Sequence, residues 1–136
     1  MIWPTRLDMI QIMLSKWHKL NCVSFDENEG YEAIVTAPLG SPWFEGHFPS
    51  QPILPGIAMI AMAFDVAQQI EAHNGKHIRL NAVKRIRFKK PVRPDEPISL
   101  VLKREQKEIG ISYNFTILLV GEVACTGTIN VELFAE

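Results

Sequence analysis

The sequence predicts an α+β fold in which a strongly curved antiparallel sheet wraps around one long central helix. Two observations carry that expectation. The segment from Gly56 to about His73, GIAMIAMAFDVAQQIEAH, has helical length and is apolar on every side from Ile57 to Phe64. A helix that is apolar all round has to be buried all round. After it come HIRLNAVKRIRFKKPV, PISLVLKREQ, GISYNFTILLV and EVACTGTINVELF, four segments of strand character that can supply the sheet to bury it.

The elements follow in order. Leu7, Ile10, Met13 and Leu14 recur at helical spacing and predict a short amphipathic helix over residues 7–15. KWHKLNCVSFDENEGYEAIVTA reads as two strands around a turn, with the turn residues at Asp26 to Gly30 and β-branched character from Tyr31 to Ala37. Residues 38–44, PLGSPWF, are expected to form a loop. Pro49, Pro52 and Pro55 then put three fixed φ angles into seven residues, which describes a stiff loop. Pro55 suits the first turn of the long helix, and Asn74-Gly75 supplies its stop. The four later strands are separated by Pro94-Asp95, Glu108-Ile109-Gly110 and the Gly121 region, and read as an antiparallel meander. Alternation in the first of them, at Val83, Ile86 and Phe88, is imperfect in register.

At 136 residues the chain is expected to be one domain spanning 1–136 with a single core. A formal net charge of −1 gives no reason to expect nucleic acid or an anionic membrane as partner. Cys22 and Cys125 stand alone, without CxxC or paired histidine spacing, so buried thiols are expected rather than a zinc site or disulfides. Met1-Ile2-Trp3-Pro4 lacks the basic start and apolar segment of a secretory signal, and the longest charge-free run, His47 to Phe64, is broken by prolines and falls short of the roughly 20 residues of a bilayer span. The expectation is a soluble, cytoplasmic protein. With no GxGxxG and no HExxH, no nicotinamide, flavin or metal cofactor is expected.

One stretch names a family. GHFPSQPILPGIAMI, with Gly46-His47-Phe48-Pro49, Pro52 and Leu54-Pro55-Gly56, is similar to the signature of β-hydroxyacyl-carrier-protein dehydratases of the FabZ/FabA type. RFKKPVRPDEPISL resembles a strand segment of the same family, departing slightly at Pro94-Asp95-Glu96, and GEVACTGTI fits its final strand. The likeness covers about residues 17 to 134. It implies a hot-dog fold and a dimer, or a higher homo-oligomer, with one continuous sheet and sites at the subunit boundary. The implied activity is elimination of water from a 3-hydroxyacyl thioester carried on acyl carrier protein or coenzyme A. In that family the acidic catalytic partner stands on the central helix fourteen residues after the histidine, where this chain has Ala61. The nearest carboxylate along the helix is Asp65, four residues on and roughly 6 Å further along the axis, where the family usually has glutamine.

Such an elimination needs a base for the proton beside the carbonyl, a donor for the leaving hydroxyl, and something to hold charge on the thioester oxygen. His47 suits the first, because imidazole exchanges protons near neutrality. The Gly56 N–H at the positive end of the helix suits the third, as the resemblance implies. Asp65 is the candidate donor, protonated or acting through water, and is equally read as a structural partner for a cation or backbone group. Pro55, Phe48 and Ala61 are expected to line the substrate site with Gly56. Glu45 is expected to be a solvated loop residue or to orient His47, and His18, His73 and His77 are expected at the surface. Met59, Met62 and Phe64 read as core or tunnel lining. Lys84, Arg85, Arg87, Lys89, Lys90 and Arg93 form either a solvated strand face or a surface for an acidic carrier protein or coenzyme A phosphates. Two other functions stay open. One is a hot-dog thioesterase with Asp65 as its main residue, and the other is a non-catalytic acyl-thioester-binding subunit, which Ala61 alone would favour.

Overall fold

The computed structural model describes residues 18–25, 30–44 and 52–134. These comprise β1 (Lys19–Phe25), β2 (Gly30–Thr36), a 3-10 turn (Pro42–Phe44), α1 (Gly56–His73), β3 (Ile78–Phe88), β4 (Ile98–Gln106), β5 (Ile111–Leu119) and β6 (Glu122–Leu133). The helix expected over residues 7–15 and the turn residues 26–29 lie outside the described residues. Among the described residues no helix is long and apolar enough to cross a membrane.

The strands form one antiparallel sheet in the order β1-β2-β4-β5-β6-β3. This corrects the simple meander. Of the four later strands only β4, β5 and β6 follow one another as hairpins; β1 pairs with β2, β2 with β4, and β3 with β6 at the far edge. The physical reason lies in the connection after β3. Residues 89–97 are too long for a tight hairpin and are pinned elsewhere: Lys89 N–H donates to the Ala124 carbonyl at 2.8 Å, and Asp95 N–H to the Ala37 carbonyl at 2.8 Å. The chain is thereby carried from one edge of the sheet back to its middle.

The inward face follows the strand period. Ile98, Leu100 and Leu102 of β4 and Ile111, Tyr113, Phe115 and Ile117 of β5 are buried, and so are Ile129 and Val131 of β6. One row runs Ala33–Leu100–Ile117–Cys125–Phe88 across five strands. Imperfect alternation in β3 has a cause: register shifts at Leu80/Ala82 and Lys84/Arg87 place two bulges in this edge strand, and Arg85 adopts φ 56 at the second. Within that bulge Ile86 is half-buried against the core, while Val83 before it is exposed. The six basic residues from Lys84 to Arg93 are all exposed, as a solvated face would be.

Helix α1 runs over the expected residues. Pro55, with φ −67 and ψ 153, occupies the N-cap rather than the first turn. Asn74 and Gly75 close the other end, where Gly75 takes φ 74 and its N–H bonds the Ala72 carbonyl at 2.9 Å. Residues 62 to 67 are buried on every side, but burial all round fails in the first two turns, where Ile57 is 55% exposed and Ala61 half-buried. The expected 38–44 loop closes as a 3-10 turn that buries Trp43 and Phe44. Cys125 is buried as expected, and burial pushes its thiol up to about 11; the Cys22 side chain lies outside the described residues.

A buried carboxylate ties the end of α1 to the sheet. Glu71 is fully buried and accepts from Arg104 Nε of β4 at 2.8 Å and from the Tyr113 hydroxyl of β5. Burial, with Glu71 alongside, pushes the Tyr113 hydroxyl well above its ordinary range, so it remains a donor. Removing one member leaves a charge in a dry site. Arg104→Leu is therefore expected to lower stability by about 3–5 kcal/mol. Urea denaturation checks this, and a loss under 1 kcal/mol would contradict the assignment.

Candidate functional site

The start of α1 opens into a cleft because of what the chain packs there. Leu54 N–H donates to the Val92 carbonyl at 2.7 Å, joining the proline-stiffened segment before the helix to the connection after β3. Between them lies an open cavity of about 520 Å3 whose apolar walls are Ile53, Leu54, Pro55, Met59, Phe88 and Pro91, with Gly56 at its floor. Lys89 and Lys90 stand at its rim, Lys90 paired with Glu122.

Two features make this end of the helix suited to an oxygen bearing negative charge. Among the described residues no side chain caps it, and no acidic residue stands in its first turn, so its leading N–H groups and the positive end of the dipole face the opening. Gly56 is needed for close approach: a Cβ there would lie 2.5 Å from Cζ of Phe88. Phe88, 55% exposed, ends the row that crosses the sheet, so its ring is carried over Gly56 by the strand register.

The other expected site residues separate. Pro55 and Gly56 line the cleft; Ala61 packs against the core and brings no polar atom. His47 and Phe48, together with Glu45, lie outside the described residues. Asp65 is buried, and its Oδ2 is 2.9 Å from Nε2 of His18, with side-chain exposures of 12% and 1%. The expectation of a surface His18 is thus corrected. A carboxylate on an apolar buried helix requires a partner, and the residue preceding β1 supplies it. No sequence signal links positions 47 apart. His73 and His77 are exposed as expected, His77 beside the Phe134 ring at 6.1 Å. Met59, Met62 and Phe64 are buried, with Met59 shared between core and cleft.

Comparison with known proteins adds the following. Residues 23–128 match the family model of ApeI-like dehydratases, described as ApeI dehydratase. A 3-hydroxyacyl-[acyl-carrier-protein] dehydratase FabZ from Haemophilus influenzae is 31% identical over 109 residues, covering 76% of this chain and 74% of the relative. Another FabZ, from Variovorax paradoxus, is 27% identical over 139 residues, covering 92% and 93%. Among solved structures, the dehydratase heterocomplex ApeI:P from Xenorhabdus doucetiae superimposes with a TM-score of 0.67 at 22% identity, over 84% of this chain and 96% of that one. A putative thioesterase, yhdA from Lactococcus lactis, gives a TM-score of 0.70 at 12% identity over 91% and 98%. These superpositions show a shared fold, the hot-dog arrangement of a curled antiparallel sheet and one helix.

The Gly56 geometry is testable. Phe88 can swing outward, so Gly56→Ala is expected to fold with stability within about 1 kcal/mol of wild type. Affinity for a saturated acyl thioester, measured by calorimetry, is expected to fall at least about tenfold, or 1.4 kcal/mol. Unchanged affinity would remove Gly56 from the site.

Proposed function

Since the chain belongs to the ApeI-like dehydratase family, we propose that it is a lyase that removes water from a 3-hydroxyacyl thioester to give the 2-enoyl thioester. The observation that carries this reading is the apolar cleft at the uncapped start of α1, which lies inside the matched residues. An acyl chain fits the walls of Leu54, Met59, Phe88 and Pro91, and the thioester oxygen fits the Gly56 N–H. His47, eight residues before Pro55 in the sequence, takes the proton next to the carbonyl. The C–H electron pair becomes the new double bond, the C–O bond at the third carbon breaks, and the hydroxyl leaves with a proton from the region of Asp65.

In this reading the thioester is carried on acyl carrier protein or coenzyme A, in fatty-acid-type or polyketide-type biosynthesis. Of the exposed cations from Lys84 to Arg93, Lys89 and Lys90 border the cleft, and the run complements an acidic carrier surface or phosphates. We further propose a cytoplasmic homodimer, because β1 and β3 are edge strands and pairing covers an edge.

Two measurements test the reading. Incubation with 3-hydroxyacyl and with saturated acyl thioesters should yield enoyl product from the former and no free thiol from either, and His47→Ala should slow enoyl formation by at least about 10²-fold. Release of thiol from the saturated substrate would favour a thioesterase, and binding without conversion would favour a non-catalytic subunit. For the assembly, light scattering at micromolar concentration should give at least a dimer mass; a monomer mass would contradict it.

A further inference from the structure

A second cavity, of about 350 Å3, lies on the face of the sheet turned away from the core and shares no lining residue with the cleft. Strand register explains which side chains reach it. Tyr113, Phe115 and Ile129 are buried in the core, so Asn114 and Thr128, paired across β5 and β6, point the other way. Lys84, opposite Thr128, points with them. Ser112 shares that outer face yet is only 5% exposed. The turn after β4 folds down on β6 here: a Cβ on Gly110 would lie 2.6 Å from the Val131 carbonyl oxygen, and Lys107, Ile109 and Gly110 wall the cavity.

Arg85 belongs to this cavity through an irregularity that packing does not demand. Between the pairs Lys84↔Thr128 and Arg87↔Thr126, Arg85 and Ile86 together oppose Gly127. Ile86 alone fills the core side, where its Cδ1 would be 2.3 Å from a Cβ on Gly127. Arg85 takes φ 56, a region that favours glycine or asparagine, and lines the outer cavity beside Lys84 where alternation would turn it to the core. Strain of this kind is retained where it serves a site. The surrounding charges agree. Glu105 is paired with Lys107 at 3.0 Å and Glu132 with Arg79 at 2.7 Å, whereas Lys84 and Arg85 have no ion pair or hydrogen bond among the described residues.

The neutral wall selects further. Thr128 Oγ1 donates to Asn114 Oδ1 at 2.7 Å, which leaves the Asn114 amide N–H groups for another acceptor, and Asn81, Asn130 and Ser112 add amides and a hydroxyl. A guanidinium beside an ammonium recognises phosphate oxygens. Amides and hydroxyls recognise hydroxyls, and the volume of about 350 Å3 is that of a small-molecule site. We propose that this cavity is a second binding site, for a phosphate monoester with a hydroxylated body, separate from the acyl cleft and independent of the reaction proposed there.

The test uses ribose 5-phosphate as the probe. In wild-type protein the amide resonances of Arg85, Gly110 and Asn130 should shift saturably while that of Gly56 holds. Ribose alone and inorganic phosphate alone should each bind at least about tenfold more weakly. Arg85→Gly should unfold near or above the wild-type midpoint, since glycine adopts φ 56 without steric strain, and its affinity for the probe should fall at least about tenfold. The titration of wild-type protein does not depend on the variant folding. Shifts absent from Arg85 and Asn130, shifts confined to Gly56, equal affinity for inorganic phosphate, or undiminished affinity in Arg85→Gly would each overturn the assignment.

Discussion

A buried helix that carries two carboxylates dominates this structure. Between Met62 and Glu71, α1 is covered by the rest of the chain along most of its length, so Asp65 and Glu71 cannot rely on solvent. An unpaired buried charge costs several kcal/mol. Six residues of helix turn the second acid well away from the first. Their partners accordingly come from different parts of the chain: His18 from the approach to β1, and Arg104 with Tyr113 from β4 and β5. The two pairs hold the helix against the sheet from two sides, adding direction to an apolar interface that has none of its own.

That clamp leaves the helix unequal at its two ends. The C-terminal end is closed by Gly75 and by the Glu71 carbonyl, which accepts from Lys76 N–H at 2.9 Å. Among the described residues the N-terminal end has neither a side-chain cap nor an acid, and its first turn is exposed at Ile57. The opening therefore occurs where the dipole is positive, and chemistry on a carbonyl oxygen can use it. Phe88 shows how the sheet takes part. Two bulges in β3 bend the strand, and its last residue then lies opposite Cys125 and over Gly56. The wall of the cleft is thus a consequence of strand register as much as of the loop before the helix.

Much of this was legible in the residues. The apolar run of α1, its proline start and its Asn74-Gly75 stop are local signals, and each stands where the periodicity predicts. The strands were legible too, because alternation is a property of adjacent residues. Strand order was not. The placement of β3 beside β6 depends on backbone bonds from Lys89 and Asp95 to distant carbonyls, and nothing in the local pattern of 89–97 encodes them. Pro55 and Gly56 were legible as the start of the helix because the motif around them is contiguous. The pairing of His18 with Asp65 was not, since a single histidine before a strand reads the same whether it faces water or a buried acid.

By itself, then, the sequence determined the elements, the central helix with its apolar character, the glycine at its start, and the family likeness that points to hydroxyacyl thioesters. All of these depend on neighbours in the chain, where spacing is set by covalent geometry. Only the tertiary structure decided which acid meets which base. It paired Asp65 with His18 across 47 positions and Glu71 with Arg104 across 33, and it laid Phe88 over Gly56. Such contacts form because a buried charge must find a counterpart and an apolar ring must find cover. Many residues could meet either demand, and the packing of the sheet around the helix selects the ones that do.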